Sequence, residues 1–138
     1  MKSIFLDTNI IIDLLAKREP FVQDAKKIFS LADKGKVKLY TSALSIANVS
    51  YVLLKQRKAE ETKQILRKLI LLVKIYSLDE KIINLALNDI EFNDFEDGLQ
   101  YYTALENNTD IILTRNTKDF NNSKLPVMTA KQFNEIIE

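Results

Sequence analysis

Ser3-Ile4-Phe5-Leu6-Asp7-Thr8-Asn9-Ile10-Ile11-Ile12-Asp13 decides how this chain is read. The short apolar run Ile4 to Leu6 predicts a fully buried strand. It stops at Asp7, and a helical pattern starts within two residues, with Thr8 or Asn9 able to cap it through a side-chain oxygen. Asp7 therefore sits where a central strand gives way to a helix. In open parallel sheets that carboxyl edge is where ligands bind. No basic residue stands in the next five positions to pair with it. The carboxylate is therefore expected to hold a metal ion together with acids from later in the chain.

Outward from this stretch, Ile10 to Ala16 continues as a short helix that Lys17-Arg18-Glu19-Pro20 breaks. Pro20 fits the first turn of a second helix, where its missing N–H would be unpaired anyway. Phe21, Ala25, Ile28, Phe29 and Ala32 recur at helical spacing, and Gly35 closes that helix. Val37 to Tyr40 predicts the second strand, and Thr41-Ser42 offers an N-cap to a helix from Ala43 to Leu54. That helix is apolar at most positions and is expected to be buried on most sides. Asn48 in its middle must then find polar partners.

The middle of the chain is its most basic section, with Lys55, Arg57, Lys58, Lys63, Arg67 and Lys68. A helix from about Ala59 to Val73 carries them, with Ile65, Leu66, Leu69, Ile70 and Val73 as its apolar stripe. The basic side reads as a solvated face, with a phosphate-contacting face as the alternative. Val73 to Tyr76 is the third strand. Ser77 with Glu80 at capping-box spacing, or Asp79, starts a helix carrying Ile82, Ile83, Ala86, Leu87 and Ile90. Phe92 and Phe95 either pack on the core or form a partner surface. Asp94-Phe95-Glu96-Asp97-Gly98-Leu99-Gln100 places three acids in four residues at the next helix start. Ile111 to Leu113 is the fourth strand, Val127 adds a short edge strand, and Lys131 to Ile137 is a closing helix.

Strands alternating with helices imply an α/β chain of three layers, α/β/α, around a parallel sheet of four to five short strands. Right-handed crossovers put the C-terminal ends of the strands on one edge. The 138 residues suit a single domain, 1–138, with a real core, and two Gly and two Pro leave little room for hairpins. No run approaches a membrane span, and the apolar N-terminal run is interrupted by Asp7, Asn9 and Asp13, against a signal peptide. The cytoplasm is the expected location, compatible with the lack of cysteine.

The chain has no Cys and no His. Disulfides, thiolate zinc sites, thiol nucleophiles, histidine general bases and a Ser-His-Asp triad are thereby excluded. A metal held by its side chains must be held by oxygen, which favours Mg²⁺, Mn²⁺ or Ca²⁺. A net charge of +1 also excludes a polycation gripping nucleic acid through bulk charge.

Asp7, Asn48, the Asp94/Glu96/Asp97 cluster and Asp119 all fall on the strand-end edge. Any single acid says little, since 19 of 138 residues are Asp or Glu, and Glu96 by itself reads as a cap or solvent residue. Convergence carries the weight. Carboxylates within about 4 Å repel by roughly 4 kcal/mol per pair at an effective dielectric of about 20. A divalent ion is the economical compensation, with Arg115 the one obvious competitor for a carboxylate. Phosphodiester hydrolysis suits such a site, because the metal acidifies water and stabilises charge on phosphate oxygens without a histidine.

From about Ile4 to Phe133 the chain resembles a PIN domain, the fold of many VapC-type toxin ribonucleases of bacterial toxin–antitoxin pairs. Phe5-Leu6-Asp7-Thr8-Asn9, Thr41-Ser42-Ala43-Leu44, Asp97-Gly98-Leu99-Gln100 and Thr114-Arg115-Asn116-Thr117-Lys118-Asp119-Phe120 carry the resemblance. It implies a Mg²⁺- or Mn²⁺-dependent endoribonuclease acting on RNA, an antitoxin partner and a homodimer. Asp7, Asp97 and Asp119 match the family's metal-binding, catalytic acids. Thr114 and Asn116 match supporting polar positions, and Asn9 the residue that orders the first loop. Asn48 departs from the pattern, since members with the fullest acidic set carry Glu there. Asp94, at i, i+3 from Asp97, is expected to supply the missing charge. Arg115, with Lys17 and Arg18, is the candidate for RNA contact. The alternative is a catalytically weak or inactive RNA- or protein-binding module on the same fold. A haloacid-dehalogenase phosphatase needs Asp where Asn9 stands, and a receiver domain needs an acidic pair near the first strand's end.

Overall fold

The computed structural model describes residues 1–137. The elements run β1 (Lys2–Leu6), α1 (Thr8–Leu15), α2 (Val22–Asp33), β2 (Val37–Ser42), α3 (Ala43–Leu54), α4 (Ala59–Leu69), β3 (Val73–Tyr76), α5 (Glu80–Asn88), α6 (Phe95–Glu106), β4 (Ile111–Leu113), a 3-10 turn (Thr117–Phe120), β5 (Val127–Met128) and α7 (Ala130–Ile137). The strands form one five-stranded sheet in the order β3-β2-β1-β4-β5, and every neighbouring pair is parallel.

β1 is central because its sequence allows nothing else. Ile4, Phe5 and Leu6 are all fully buried, and their alternation serves two cores. Ile4 and Leu6 pack with Ile10, Ile28, Val49 and Phe133 on one face. Phe5 packs with Ile112, Tyr101, Phe92 and Phe120 on the other. The chain winds outward from β1 through β2 to β3, then returns to β4 on the opposite side. The turn-back lies between β1 and β4, where the Asp7 N–H donates to Leu113 O at 2.9 Å. Loops leaving two such strands diverge and leave a crevice at the carboxyl edge.

Several local expectations shift. α2 begins at Val22, two residues after Pro20, and Phe21 precedes it without a side-chain cap. It closes as expected: Gly35 adopts φ +73°, and Gly35 N–H and Lys36 N–H return to Ala32 O and Leu31 O, the paired bonds of a Schellman turn. α4 stops at Leu69, not Val73, because Val73 must enter β3 beside Leu39. α3 is not buried on most sides. It turns Ser45, Val49 and Leu53 inward and leaves Tyr51 68 % and Leu54 47 % exposed. The sheet and neighbouring helices cover a single stripe of it, whatever its composition.

The basic side of α4 is solvated, with Arg67 paired to Glu60 and Arg57 to Glu61. Asp79 caps α5 by accepting the Ile82 N–H. Phe92 joins the core and Phe95 stays exposed. No helix among the described residues is long and apolar enough to cross a membrane.

Candidate active site

Asp7 itself, not Thr8 or Asn9, caps α1, its Oδ1 accepting the Thr8 N–H at 2.8 Å. Oδ1 also receives Gln100 Nε2 at 3.3 Å, and Oδ2 receives the Thr114 hydroxyl at 2.8 Å. Asp7 is 8 % exposed. Burial pushes its carboxyl above the usual carboxylate range despite these bonds, and the Asp119 charge adds to the push.

α6 brings the second group. Asp94 caps this helix, accepting the Asp97 N–H at 3.1 Å. Asp97, Asp94 and Glu96 line one cleft of about 260 Å³ together with Asp7, Asn48 and Arg18. The Asp97 carboxyl is pushed up to about 7, first by burial and then by the charges of Asp94, Asp7, Asp119 and Glu96. Glu96, which the sequence reads as a cap or solvent residue, accepts the Asn48 amide at 3.1 Å. The carboxylate standing beside Asn48 is therefore that of Glu96, while Asp94 is engaged in the cap.

The third group follows β4. Thr114 is fully buried on Asp7 Oδ2. Asn9 ties the two loops, donating to the Thr114 hydroxyl at 3.3 Å and accepting the Arg115 N–H at 3.2 Å. Asn116 lines the cleft and donates its backbone N–H to Thr114 Oγ1. Asp119 is exposed on the 3-10 turn, and its charge acts on both Asp7 and Asp97.

Arg115, expected to meet substrate, is turned the other way. Its Nε lies 3.0 Å from Asp13 Oδ2, and its guanidinium sits over the Phe21 ring at 4.3 Å. Asp13 has a 1 % exposed side chain, so its charge needs this partner. Of the three basic candidates, Arg18 is the one that lines the cleft.

Gln100 gained no role from the sequence. It is 3 % exposed and bonds Asp7, Thr8, Ser42 and Ser45. A wider hollow of about 850 Å³ over α5 shares no residue with the cleft and gathers no comparable set of buried acids.

Among the described residues, no three acidic side chains stand close enough together to enclose a metal ion unaided. The donor chemistry and the charge nevertheless suit one. All donors are oxygen, Asp7 and Asp97 are both held above the ordinary carboxylate range, and Arg18 is the one cation lining the cleft. An open set of one or two carboxylates suits Mg²⁺, which keeps several waters, better than the closed oxygen cage of Ca²⁺.

Comparison with known proteins identifies the family to which such a chain belongs. The model of the PIN domain matches residues 3–118. The chain belongs to the PIN-domain family. Ribonuclease VapC1 of Aquifex aeolicus (strain VF5) is 31 % identical to it, over 97 % of this chain and 94 % of the relative. Among solved structures, VapBC-1 from nontypeable Haemophilus influenzae superposes with a TM-score of 0.71 at 21 % identity, covering 94 % of this chain and 98 % of that one. FitAcB from Neisseria gonorrhoeae gives 0.70 at 19 % identity, covering 93 % and 98 %. A toxin–antitoxin complex from Klebsiella pneumoniae gives 0.67 at 24 % identity, covering 92 % and 97 %. These three share the PIN fold, with its parallel sheet between helical layers.

Proposed function

We propose that the strand-end cleft is the active centre of a Mg²⁺- or Mn²⁺-dependent endoribonuclease, the toxin half of a toxin–antitoxin pair working in the cytoplasm. One observation carries the reading: Asp7, Asp94, Glu96 and Asp97 line one cleft, where burial first and the neighbouring acids second push the Asp97 carboxyl up to about 7. A cleft that stores unrelieved negative charge beside a phosphodiester site is built for a divalent cation. Support for RNA comes from the curated relative, a ribonuclease. Support for an antitoxin comes from structural neighbours that are VapBC and toxin–antitoxin complexes. A homodimer is part of the same reading.

Asp7 and Asp97 would hold the ion, with Asp119, Asp94 and Glu96 adding charge around it. Bound there, a divalent ion acidifies water and neutralises charge on the phosphate oxygens. Thr114 and Asn9 keep Asp7 aimed from the β4 side. Asn48 steadies Glu96 at the rim, and Arg18 meets the RNA backbone across the cleft. Binding of the ion there would displace the Asp97 proton.

That last step sets the test. Calorimetric titration with Mn²⁺ is expected to show saturable binding whose affinity rises about tenfold per pH unit below pH 7 for each proton displaced, flattening above it. RNA cleavage should follow the same metal dependence. Protein that neither binds Mn²⁺ nor cleaves RNA at high Mn²⁺, yet retains RNA, would be a binding module on this fold, the reading that Asn48 favours.

Asp94→Asn separates charge from cap. Asn caps helices as well as Asp, so thermal stability should stay within about 0.5 kcal/mol. Removing the largest charge acting on Asp97 should bring its carboxyl down. The steep part of the Mn²⁺ affinity profile then moves to lower pH. An unmoved profile would show that Asp94 is a cap and nothing more.

A further inference from the structure

We propose that Gln100 is a positioning residue: it locks the Asp7 carboxylate in its metal-holding orientation and ties it to α6, the helix that carries Asp97. The inference rests on the proposed metal-dependent function and goes beyond it, since it gives a role to an amide that lines the cleft and is bonded to Asp7, Thr8, Ser42 and Ser45.

The bonds around Gln100 fix its orientation. Ser42 Oγ accepts the Ser45 N–H at 3.0 Å as the cap of α3, so its own proton points elsewhere, to Gln100 Oε1 at 2.5 Å. With Oε1 committed as acceptor, Nε2 faces the remaining partners: Ser45 Oγ at 2.6 Å, Asp7 Oδ1 at 3.3 Å and Thr8 Oγ1 at 3.3 Å. The reversed amide would set an oxygen against the Asp7 carboxylate, with no proton between them. Thr8 closes the ring by donating to Ser45 Oγ at 2.9 Å. Ser42, Ser45 and Gln100 are each at most 3 % exposed, so no water substitutes for any of these bonds.

The consequence for Asp7 is geometric. Its Oδ1 is held by Thr8 N–H and Gln100, and its Oδ2 by Thr114. Thr8 opens α1 directly after β1 and Thr114 follows β4, so they orient the carboxylate within the sheet edge. Gln100 alone among these bonds comes from α6. Gln100 follows Asp97 by one helical turn and shares its face, so the bond to Asp7 also sets how far apart the two acids stand. Groups that orient metal ligands in this way are worth about 10- to 100-fold in metal affinity when removed.

The test compares Mn²⁺ binding by calorimetry, with thermal melting, in the wild type, Gln100→Leu, Gln100→Asn and Thr103→Val. Gln100→Asn keeps an amide near the two serines but is one methylene too short to reach Asp7 as well, so it tests the same bond in a less disruptive variant. Thr103 is equally buried on α6 and bonds only Leu99 O, which makes Thr103→Val the control for a loosened helix. Both Gln100 variants are expected to bind Mn²⁺ about 10- to 100-fold more weakly while still melting cooperatively, and Thr103→Val to bind as the wild type does. RNA cleavage by Gln100→Asn should recover toward the wild-type kcat as Mn²⁺ is raised. Affinity within about twofold of wild type in either folded Gln100 variant overturns the proposal, as does an equal loss in Thr103→Val. Wild-type protein that takes up no Mn²⁺ overturns this inference together with the function it rests on.

Discussion

Asp7→Asn is expected to lower RNA cleavage at least about a thousandfold, roughly 4 kcal/mol of lost barrier reduction, and at the same time to make the protein harder to melt above pH 7. The two effects have one cause. Asp7 is a buried carboxylate whose pKa burial has raised. A group with a raised folded pKa contributes its stability below its ordinary value and loses it as pH climbs through the folded value. Asp97 behaves likewise, over a window from about 4 to about 7. Without divalent ions, the wild type should therefore melt at progressively lower temperature from pH 4 to pH 8. Asn at position 7 accepts the Thr8 N–H as Asp does but carries no charge, so the decline should be shallower. Melting curves at pH 5 and pH 8, with EDTA and then with Mn²⁺, check this. Loss of activity accompanied by a lower melting temperature at pH 8 would mean that Asp7 is needed for the fold, and its catalytic role would lose its support.

The features legible in the sequence were those written locally. Ile4-Phe5-Leu6 must be buried on both faces, and an acid directly after it must lie at the sheet edge. The acids at the start of α6 are legible as a cluster, but the cap falls to Asp94, to which the sequence assigns only a charge-supplying role, and not to Glu96. What was not legible depends on partners distant in sequence. A Gln in an amphipathic helix looks like a solvent residue, and Gln100 becomes informative only when folding brings Ser42, Ser45 and Thr8 around it. Arg115 shows the same limit. Lying between Thr114 and Asn116 it reads as a substrate contact, but its real neighbours, Asp13 and Phe21, come from the first elements of the chain. Asp13 did carry a signal: an acid following three isoleucines on an apolar helix face must either meet a cation or disturb the core. α3 misled through composition, since periodicity reports which residues tolerate burial, not how much of a helix its neighbours cover.

Arg115→Ala is expected to cost about 3 to 5 kcal/mol, the usual result of stripping the partner from a buried charge, and to lower the melting temperature by roughly 10 °C or more. The pair is lopsided: the Asp13 side chain is 1 % exposed and that of Arg115 29 %. The arginine can reach water when released, and the aspartate cannot. Burial already raises the Asp13 carboxyl above its ordinary range, with Arg115 and then Arg18 working against it. Removing Arg115 raises it further, so the variant can shed the charge by taking up a proton. The loss should be largest near pH 8 and shrink as pH falls and the buried aspartate takes up a proton. Adding Asp13→Leu to Arg115→Ala should recover most of the stability at pH 8, because an apolar pair replaces an orphaned ion. Arg115→Lys should remain clearly destabilised, since an ammonium cannot both pair with Asp13 and lie flat on Phe21. If Arg115→Ala instead left melting unchanged while raising the KM for RNA, the arginine would be a substrate contact after all, and the Asp13 pair an arrangement that RNA binding undoes.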